Sequence, residues 1–464
     1  MKSINKIQGK TRLLGLIGDP VEHTLSPLIH NTIEGVMNEA SDVQSVYVPF
    51  RVDPACVREA LEGAYALNIL GMNATVPHKL EVIPYLKGID ETAKQIGAVN
   101  TLVRCDGGFW GYNTDAEGFM RELDFYGIEV EGRCAVMLGA GGASKAVAYG
   151  LAVKKAAKVY IANRTIAKAE EIAAAMNEML GALVFTAITY EQLSDIKENE
   201  LIVVQCTSVG LAPDSEKTIV PDCEFYDKIA VGVDIIYKPE NTLFMRLCRE
   251  HGALAYNGIR MLLYQGVAAN EKFLGRTVSK EAVEIAARKL EAASGIKRPV
   301  VLTGYMGSGK STVAECMCRK MGLKAIDTDV VIEEKAGMTI NEIFAQRGEA
   351  AFRDMETALI KELIEKCEYD IISTGGGMPV RAENRKLLTT LGTVVYLKAD
   401  AGTIYNRVSG SDNRPLLKEG NLMEKIERML GERGPLYMDG AGIVIDTSDY
   451  SAKEIADELL GKMF

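Results

Sequence analysis

The stretch Gly304-Tyr-Met-Gly-Ser-Gly-Lys310-Ser311 has the residue types and spacing of a phosphate-binding loop. It follows the apolar run "VVLT" and precedes an amphipathic stretch, so it predicts a turn between a strand and a helix. In such a turn backbone N–H groups converge on phosphate oxygens, the lysine reaches the outer phosphates and the Ser311 hydroxyl ligates Mg²⁺. This part of the chain is therefore predicted to bind a nucleoside triphosphate with Mg²⁺, through Gly307, Ser308, Gly309, Lys310, Ser311 and Thr312.

A second glycine-rich loop, "GAGGAS", runs from Gly139 to Ser144. It satisfies only the first two glycines of the dinucleotide-binding pattern GxGxxG, but a strand, "CAVML", precedes it and a helical stretch follows. The next strand ends in "NRT", where an NAD enzyme would offer Asp or Glu to the ribose; an arginine suits the 2′-phosphate of NADP instead. The loop therefore predicts an NADP site made by Gly139, Ala140, Gly141, Gly142, Ala143, Asn163, Arg164 and Thr165.

The elements around both loops alternate short apolar runs with amphipathic stretches, which is typical of parallel sheets covered by helices. We predict an α/β fold throughout: a smaller α/β domain at 1–115, a Rossmann-like domain at 116–264 and a P-loop, parallel-sheet domain at 300–464. Helices at about 265–290 are expected to pack back on the first domain. A helix stop at Ser294-Gly295 followed by Pro299 places a linker at 291–299.

Composition excludes several classes of protein. With 464 residues, 47% hydrophobic and 25% charged, the chain is a globular protein of two to three domains. The net charge of −10 argues against a nucleic-acid partner. The start "MKSINKIQGKTR" has no apolar signal region and no later run is long enough to span a membrane, which predicts a cytoplasmic protein with no membrane partner. The nine cysteines lack paired spacing and fit reduced thiols.

The segments around the P-loop, "IDTDVVIEEKAGMTINEIFAQRGEAAFRDME", "ISTGGGM", "SDNRPLL" and "ERGPLY", together resemble shikimate kinase. The resemblance implies that Asp329 orients the attacking shikimate hydroxyl and that Asp327 supports Mg²⁺ through water. It also implies that Arg353 and Arg433 bind the substrate carboxylate while Gly375, Gly376 and Gly377 let the ring approach the backbone. Arg414 would close on the transferred phosphate and Arg407 would contact adenine, although a solvated surface role for Arg407 stays open.

The segments "HTLSPLIHN", "NATVPHK", "IGAVNTL", "GYNTDAEG", "CTSVG", "DIIYKPENT" and "NGIRMLLYQ" resemble shikimate dehydrogenase across residues 10–290. By that resemblance Lys79 and Asp115 form the catalytic pair and Gly258 joins the cofactor site. The implied contacts to the substrate carboxylate and hydroxyls are Thr24, Ser26, Asn73, Thr75, Asn100, Tyr237 and Gln265. A lysine beside a carboxylate suits the chemistry, because reduction of a ketone needs a proton at the developing alkoxide.

Four positions depart from the pattern of that family. Thr24 stands where serine is usual, and its extra methyl could shift preference toward a bulkier acid such as quinate. Gln205-Cys206 replaces Asn-Ala, and Asn257 replaces the usual Asp before Gly258. None of these changes removes a catalytic group. The four histidines are expected to be structural.

Together the two resemblances predict a bifunctional enzyme of aromatic amino-acid biosynthesis. The first part would reduce 3-dehydroshikimate to shikimate with NADPH, and the second would phosphorylate shikimate with MgATP. Two alternatives stay open: a quinate/shikimate dehydrogenase of broader specificity fused to the kinase, and a non-catalytic regulator descended from such enzymes. The sequence leaves the oligomeric state and any channelling of shikimate open.

Overall fold

The computed structural model describes residues 7–38, 44–211, 213–220, 223–366, 368–409 and 422–463. The chain divides into two compact units, with the boundary between Ile296 and Lys297. That boundary falls inside the predicted linker at 291–299, whose first residues still belong to a helix that ends at Ala293.

The first sheet of the N-terminal unit is mixed. Its strands are β1 (Arg12–Gly18), β2 (Ser45–Arg51), β3 (Gly71–Ala74), β4 (Gly88–Ile89), β5 (Thr101–Cys105) and β6 (Gly108–Tyr112). They lie in the order β2-β1-β3-β5-β6-β4, and β5 runs antiparallel to both of its neighbours. The accompanying helices are α1 (Ser26–Met37), α2 (Val57–Ala66), α3 (His78–Glu81) and α4 (Glu91–Ile96). The apolar residues of β3 alternate with Asn73, so this short central strand brings a polar side chain into a buried layer.

The second sheet of this unit is wholly parallel. Its strands are β7 (Cys134–Leu138), β8 (Lys158–Ala162), β9 (Phe185–Ile188), β10 (Leu201–Gln205), β11 (Ile229–Asp234) and β12 (Leu254–Asn257). The helices around it are α5 (Asp115–Tyr126), α6 (Ser144–Val153), α7 (Ile166–Leu180), α8 (Cys223–Tyr226) and α9 (Leu243–Glu250). The order β12-β11-β10-β7-β8-β9 is that of dinucleotide-binding folds, in which ligands bind at the carboxyl ends of the strands where the order reverses, here beside β7. The predicted parallel sheet is confirmed.

Two long helices complete the unit, α10 (Ile259–Leu274) and α11 (Lys280–Ala293). Their apolar faces pack with Ile29 and Ile33 of α1 in one buried cluster. Ala269 and Phe273 of α10 also pack under the first sheet. The chain therefore returns from the second sheet to the first.

The C-terminal unit is built on a parallel sheet of five strands in the order β14-β15-β13-β16-β17. These strands are β13 (Val300–Thr303), β14 (Ala325–Asp327), β15 (Ile371–Ser373), β16 (Thr393–Lys398) and β17 (Ile443–Asp446). The helices are α12 (Lys310–Met321), α13 (Thr328–Ala336), α14 (Ile340–Lys366), α15 (Ala382–Leu391), α16 (Ala401–Val408), α17 (Leu422–Gly440) and α18 (Ala452–Met463). α14 is interrupted at Gly348, where φ is +81°. No helix among the described residues is both long and apolar enough to cross a membrane.

Candidate active sites

Lys79 and Asp115 form an ion pair in the N-terminal unit. Lys79 Nζ lies 2.6 Å from Asp115 Oδ2, and the side chains are 26% and 13% exposed. The other carboxylate oxygen, Oδ1, accepts a hydrogen bond of 2.8 Å from Asn100 Nδ2. The structure thus brings together three residues that the sequence separates, and it leaves the ammonium partly open to a ligand.

Local backbone contacts hold this pair in place. Lys79 lies on α3, directly after β3, and its carbonyl accepts a hydrogen bond of 2.9 Å from the N–H of Val99. Asp115 begins α5, and its backbone N–H donates to Asn113 Oδ1 at 3.0 Å. Asn100 is thereby fixed between the two, because it follows Val99 in sequence.

A buried network of amides and hydroxyls surrounds Asn100. Its Oδ1 accepts hydrogen bonds from the N–H and the hydroxyl of Thr114 and from the Thr101 hydroxyl, at 2.8, 3.1 and 2.9 Å. Asn73 Nδ2 donates to the Asn100 carbonyl and to Thr101 Oγ1, both at 3.0 Å. Because these groups are buried and satisfied, the network rigidifies the site.

The other predicted substrate residues lie on elements next to this network. The Thr24 hydroxyl donates to Ser26 Oγ at 3.2 Å, at the start of α1. Thr75 follows β3 and packs closely on Gly18: a Cβ added to Gly18 would be 2.4 Å from the Thr75 methyl. Gln265 lies on α10, where its backbone N would be 2.8 Å from a Cβ at Gly118, one turn after Asp115. Tyr237 packs on the cluster of α1, α10 and α11, and burial raises its pKa.

The glycine-rich loop after β7 is shaped by close contacts. Gly139 has φ +110°, and a Cβ there would be 2.4 Å from the Thr207 methyl. The Gly141 N–H donates to Ser144 Oγ at 2.8 Å, whereas Gly142 faces open space. Ala140 and Ala143 complete the turn into α6. Ser144, the residue in place of the third glycine, therefore braces the loop from inside.

Arg164 is exposed directly after β8, beside Asn163, whose side chain donates to the Thr165 carbonyl at 2.8 Å. At Gly258 a Cβ would be 2.3 Å from the Ile235 carbonyl oxygen, so only glycine fits. An open glycine loop at a helix N-terminus followed by an exposed arginine fits the pyrophosphate and 2′-phosphate of NADP.

In the C-terminal unit, the loop between β13 and α12 has a backbone that only glycines adopt readily, as a phosphate cradle requires. Gly304, Gly307 and Gly309 have φ of +146°, +80° and +97°. Lys310 Nζ donates to the carbonyls of Gly304 and Tyr305, at 2.8 and 3.1 Å, so its ammonium lies across the mouth of the loop. Ser308 Oγ is buried, and Thr312 is exposed on α12. This geometry fits a triphosphate.

Three oxygen groups converge beside Lys310. Asp327 Oδ2 accepts hydrogen bonds from Ser311 Oγ at 3.1 Å and from Ser373 Oγ at 3.0 Å. Hydroxyl and carboxylate oxygens are the ligands Mg²⁺ prefers, and it usually takes few from the protein because phosphates and water complete its shell. The described residues hold no group of three or more His, Cys, Asp and Glu that could bind a metal by itself.

Asp329, the candidate catalytic carboxylate, lies against the triple-glycine turn. A Cβ at Gly375 would be 2.2 Å from Asp329 Oδ1, and a Cβ at Gly377 would be 2.2 Å from Arg353 Nη1. Burial raises the pKa of Asp329 to about 6, with the nearby Asp327 charge adding to the rise, while Lys310 opposes it. The structure therefore places Asp329 and Arg353 at the same turn.

Partners on α14 and α17 orient the other groups of this turn. Arg353 donates to Glu356 Oε2 at 2.8 Å and to Glu349 Oε1 at 2.9 Å. The Tyr437 hydroxyl donates to the Gly376 carbonyl at 2.5 Å. Arg433 lies one turn before Tyr437, and its charge opposes the rise that burial causes in the pKa of that tyrosine.

Arg407 is exposed on α16. It contacts the Gly307 and Ser308 carbonyls, at 3.4 and 3.5 Å, and donates to the Thr447 carbonyl at 2.7 Å. Its guanidinium thus lies at the phosphate loop and is tied to it. Arg414 lies outside the described residues.

The residues that the sequence analysis missed form hydrogen bonds that hold the predicted site residues in place. They are Tyr47, Thr101 and Thr114 in the N-terminal unit and Ser373, Glu356 and Tyr437 in the C-terminal unit. The spacing of Arg353 and Glu356, three residues apart on a helix, was the one local signal available. Thr101 lies next to its partner Asn100 in the sequence, and the remaining residues meet their partners only through the tertiary fold.

Comparison with known proteins assigns both units. Three family models match: "Shikimate dehydrogenase substrate binding domain" at 16–102, "Shikimate / quinate 5-dehydrogenase" at 125–220 and "Shikimate kinase" at 306–464. A shikimate dehydrogenase (NADP(+)) of Desulforamulus reducens is 40% identical over 276 residues, which are 59% of this chain and 93% of that protein. The chain belongs to the shikimate dehydrogenase family and carries a shikimate kinase domain after it.

Solved structures of the shikimate dehydrogenase family have the same fold as the N-terminal unit. One, a shikimate dehydrogenase in complex with NADP⁺, has a TM-score of 0.56 and 34% identity, and covers 62% of this chain and 97% of its own. Another is a chorismate mutase/shikimate 5-dehydrogenase fusion protein from Clostridium acetobutylicum. It has a TM-score of 0.55 and 32% identity, and the match covers 61% of this chain and 99% of that one. The predicted fold class is confirmed, and so is the predicted combination of a shikimate dehydrogenase with a shikimate kinase. The chain is an enzyme with an oxidoreductase and a kinase part, and its cofactors are NADP and, in the kinase, ATP with Mg²⁺.

Proposed function

We propose that the N-terminal unit reduces 3-dehydroshikimate to shikimate and that the C-terminal unit phosphorylates the 3-hydroxyl of that product. The order of the domains supports two consecutive steps on one small molecule. Neither step needs nucleic acid or a membrane, and the net charge of −10 argues against a nucleic-acid partner. We infer that both steps take place in the cytoplasm.

The observation that carries the first step is the contact of 2.6 Å between Lys79 and Asp115. Bound NADPH would supply the hydride. As the ketone becomes an alkoxide, the Lys79 ammonium donates a proton to its oxygen, and the contact with Asp115 orients that ammonium. Asn100 holds the far oxygen of Asp115, so the carboxylate cannot rotate away from the lysine.

The substrate of the reduction would lie beside the Lys79–Asp115 pair, between two sets of polar residues. Thr24 and Ser26 offer hydroxyls to the carboxylate, and Asn73, Thr75 and Gln265 surround the ring hydroxyls. In the cofactor site, the loop 139–143 and Gly258 would contact the pyrophosphate. The 2′-phosphate would be bound by Asn163, Arg164 and Thr165. A guanidinium binds a phosphate through parallel charge-assisted hydrogen bonds, which favours NADP over NAD.

The observation that carries the second step is the position of Asp329 at the triple-glycine turn, beside Arg353. Asp329 accepts the proton of the attacking hydroxyl, and Arg353 and Arg433 bind the carboxylate that keeps the ring in place. When ATP and Mg²⁺ are bound, Lys310 and the loop N–H groups would neutralise charge on the transferred phosphoryl group, and Ser311, with Asp327 through water, would hold Mg²⁺. Arg414 would add a further cation, and Arg407 would lie beside the base.

A coupled assay tests both steps in one sample. Protein supplied with 3-dehydroshikimate, NADPH, ATP and Mg²⁺ should oxidise NADPH and accumulate shikimate 3-phosphate. Omitting ATP should stop the reaction at shikimate, and omitting NADPH should leave 3-dehydroshikimate unchanged. Folded protein that yields neither product would reject the proposal and favour a non-catalytic regulator.

A second candidate for the first unit is a dehydrogenase that also oxidises quinate. Two observations favour it: the additional methyl of Thr24 at the carboxylate side and the match to a family described as shikimate / quinate 5-dehydrogenase. The rates of NADP⁺ reduction with shikimate and with quinate separate the two. Substitution Thr24→Ser should then lower the ratio of quinate to shikimate turnover; an unchanged ratio would exclude Thr24 as its source.

A further inference from the structure

Tyr47 is a buried tyrosine on β2, the edge strand of the first sheet, and is 2% exposed. Among the described residues no strand pairs with the outer edge of β2, and the side chain of Asn31 bonds both backbone groups of Tyr47 there. Tyr47 N–H donates to Asn31 Oδ1 at 2.8 Å, and Asn31 Nδ2 donates to the Tyr47 carbonyl at 3.0 Å. The backbone of Tyr47 is therefore fixed on α1, the helix that begins at Ser26.

The ring of Tyr47 is fixed as well. It stacks on His30, with ring centroids 4.1 Å apart and an interplanar angle of 3°. His30 is fully buried, and burial lowers its pKa to about 3, so its ring is neutral at physiological pH. Stacking on the neutral imidazole therefore fixes the orientation of the Tyr47 ring.

The hydroxyl of Tyr47 donates a hydrogen bond of 2.8 Å to Asn73 Oδ1. The orientation of that amide follows from its other partners: Asn73 Nδ2 faces the Asn100 carbonyl, which can only accept. The same hydroxyl interacts with Ser26, and burial raises the pKa of Tyr47 well above its usual value, so it remains a phenol that donates. One buried hydroxyl thus links two proposed substrate residues on different elements.

Resting on the reduction proposed above, we propose that Tyr47 is a positioning residue for the substrate of the dehydrogenase. Its hydroxyl fixes the orientation of the Asn73 amide, so that Oδ1 is the atom that Asn73 presents to a ring hydroxyl. Both N–H groups of the Asn73 amide are used on Asn100 and Thr101, so Asn73 meets the substrate as an acceptor only.

Steady-state kinetics of Tyr47→Phe test this role, with Tyr226→Phe as the matched control. Tyr226 is a fully buried tyrosine of the same unit, whose hydroxyl donates to the Val220 carbonyl at 3.0 Å. We expect Tyr47→Phe to raise the KM for 3-dehydroshikimate about tenfold, the cost of one lost hydrogen bond, with kcat changed less than about threefold. The KM for NADPH and the shikimate kinase activity of the same molecules should not change.

A double-mutant cycle with Asn73→Ala asks whether Tyr47 acts through Asn73. In the Asn73→Ala background, Tyr47→Phe should raise the KM by less than about twofold, because the group it positions is gone. Additive effects, or a KM shift no larger than that of Tyr226→Phe, would overturn the inference. Wild-type protein that does not reduce 3-dehydroshikimate would instead reject the proposed function, and this inference with it.

A second variant covers the case in which Tyr47→Phe prevents folding of the N-terminal unit. Asn31→Ala keeps the Tyr47 hydroxyl but frees its backbone, so the KM for 3-dehydroshikimate should rise while that for NADPH stays constant. An equal rise in both KM values would show a general structural defect and contradict the proposal.

Discussion

Asp329 lies directly against Gly375: a Cβ added to that glycine would be 2.2 Å from Asp329 Oδ1. The substitution Gly375→Ala must therefore displace the carboxylate or the turn. Because misplacement by about 1 Å can cost on the order of 100-fold, we expect kinase kcat/KM to fall at least that much while dehydrogenase activity persists. Gly461→Ala, at a helical glycine where a Cβ meets nothing within 4 Å, is the control and should be neutral. Equal kinase activity in both variants would contradict a catalytic position for Asp329.

The substitution Lys79→Ala removes the proposed proton donor. Loss of general acid catalysis should lower the rate of 3-dehydroshikimate reduction by about 10² to 10⁴ and leave the kinase intact. Lys94→Ala, which breaks an exposed lysine–carboxylate pair of 3.1 Å with Glu91 in the same domain, should change neither rate. NADPH oxidation and ADP release, measured on one preparation of each variant, decide the matter. A loss of kinase activity in Lys79→Ala would mean that the two halves are coupled.

The substitution Arg164→Ala tests the choice of cofactor. The guanidinium is exposed after β8, so its loss should not disturb the sheet. Removing a charge-assisted contact with the 2′-phosphate should raise the KM for NADPH about 10- to 100-fold, while the KM for NADH, which lacks that phosphate, stays nearly constant. Equal changes for both cofactors would place Arg164 away from the phosphate.

Much of the fold was predictable because apolar runs such as "CAVML" and "VVLTG" mark buried parallel strands. The antiparallel β5 and the break at Gly348 were not, since pairing direction and a single left-handed residue leave no trace in periodicity. The catalytic candidates came from the resemblance to two families, because Lys79 and Asp115 meet only in the folded chain. Tyr47 was missed because a tyrosine in a strand is ordinarily a packing residue of the core. Only the structure shows that its hydroxyl bonds Asn73.

The activity of the kinase should depend on the protonation of Asp329. Its pKa is about 6, raised by burial and by Asp327, and only the carboxylate can accept the proton of the attacking hydroxyl. The kcat/KM for shikimate should therefore be constant above about pH 7 and fall about tenfold per unit below pH 6. Glu333→Gln removes a charge that raises this pKa but keeps an oxygen for the Ile340 N–H, so the inflection should move to lower pH. A profile without an inflection between pH 5 and 7 would contradict the role.

The buried Glu122 on α5 makes a prediction about stability. It is 0% exposed; one oxygen accepts a hydrogen bond of 3.3 Å from Met261 N–H, and the other has no partner in the described part of the chain. Burial raises its pKa from 4.5 to about 8, although Arg260 opposes the rise. The folded state thus keeps a proton that the unfolded state releases between pH 4.5 and 8, so the free energy of unfolding falls as pH rises through this window.

Glu122→Gln has no charge in either state and should remove this pH dependence. At pH 7 we expect the variant to be more stable than the wild type by roughly 1–3 kcal/mol, with the difference vanishing below about pH 4.5, where the wild-type residue is protonated in both states. Urea denaturation followed by the fluorescence of Trp110 measures it, because this residue is the only tryptophan of the chain and lies in the first sheet, on β6. Parallel curves of stability against pH for the two proteins would mean that Glu122 is ionised in the folded state.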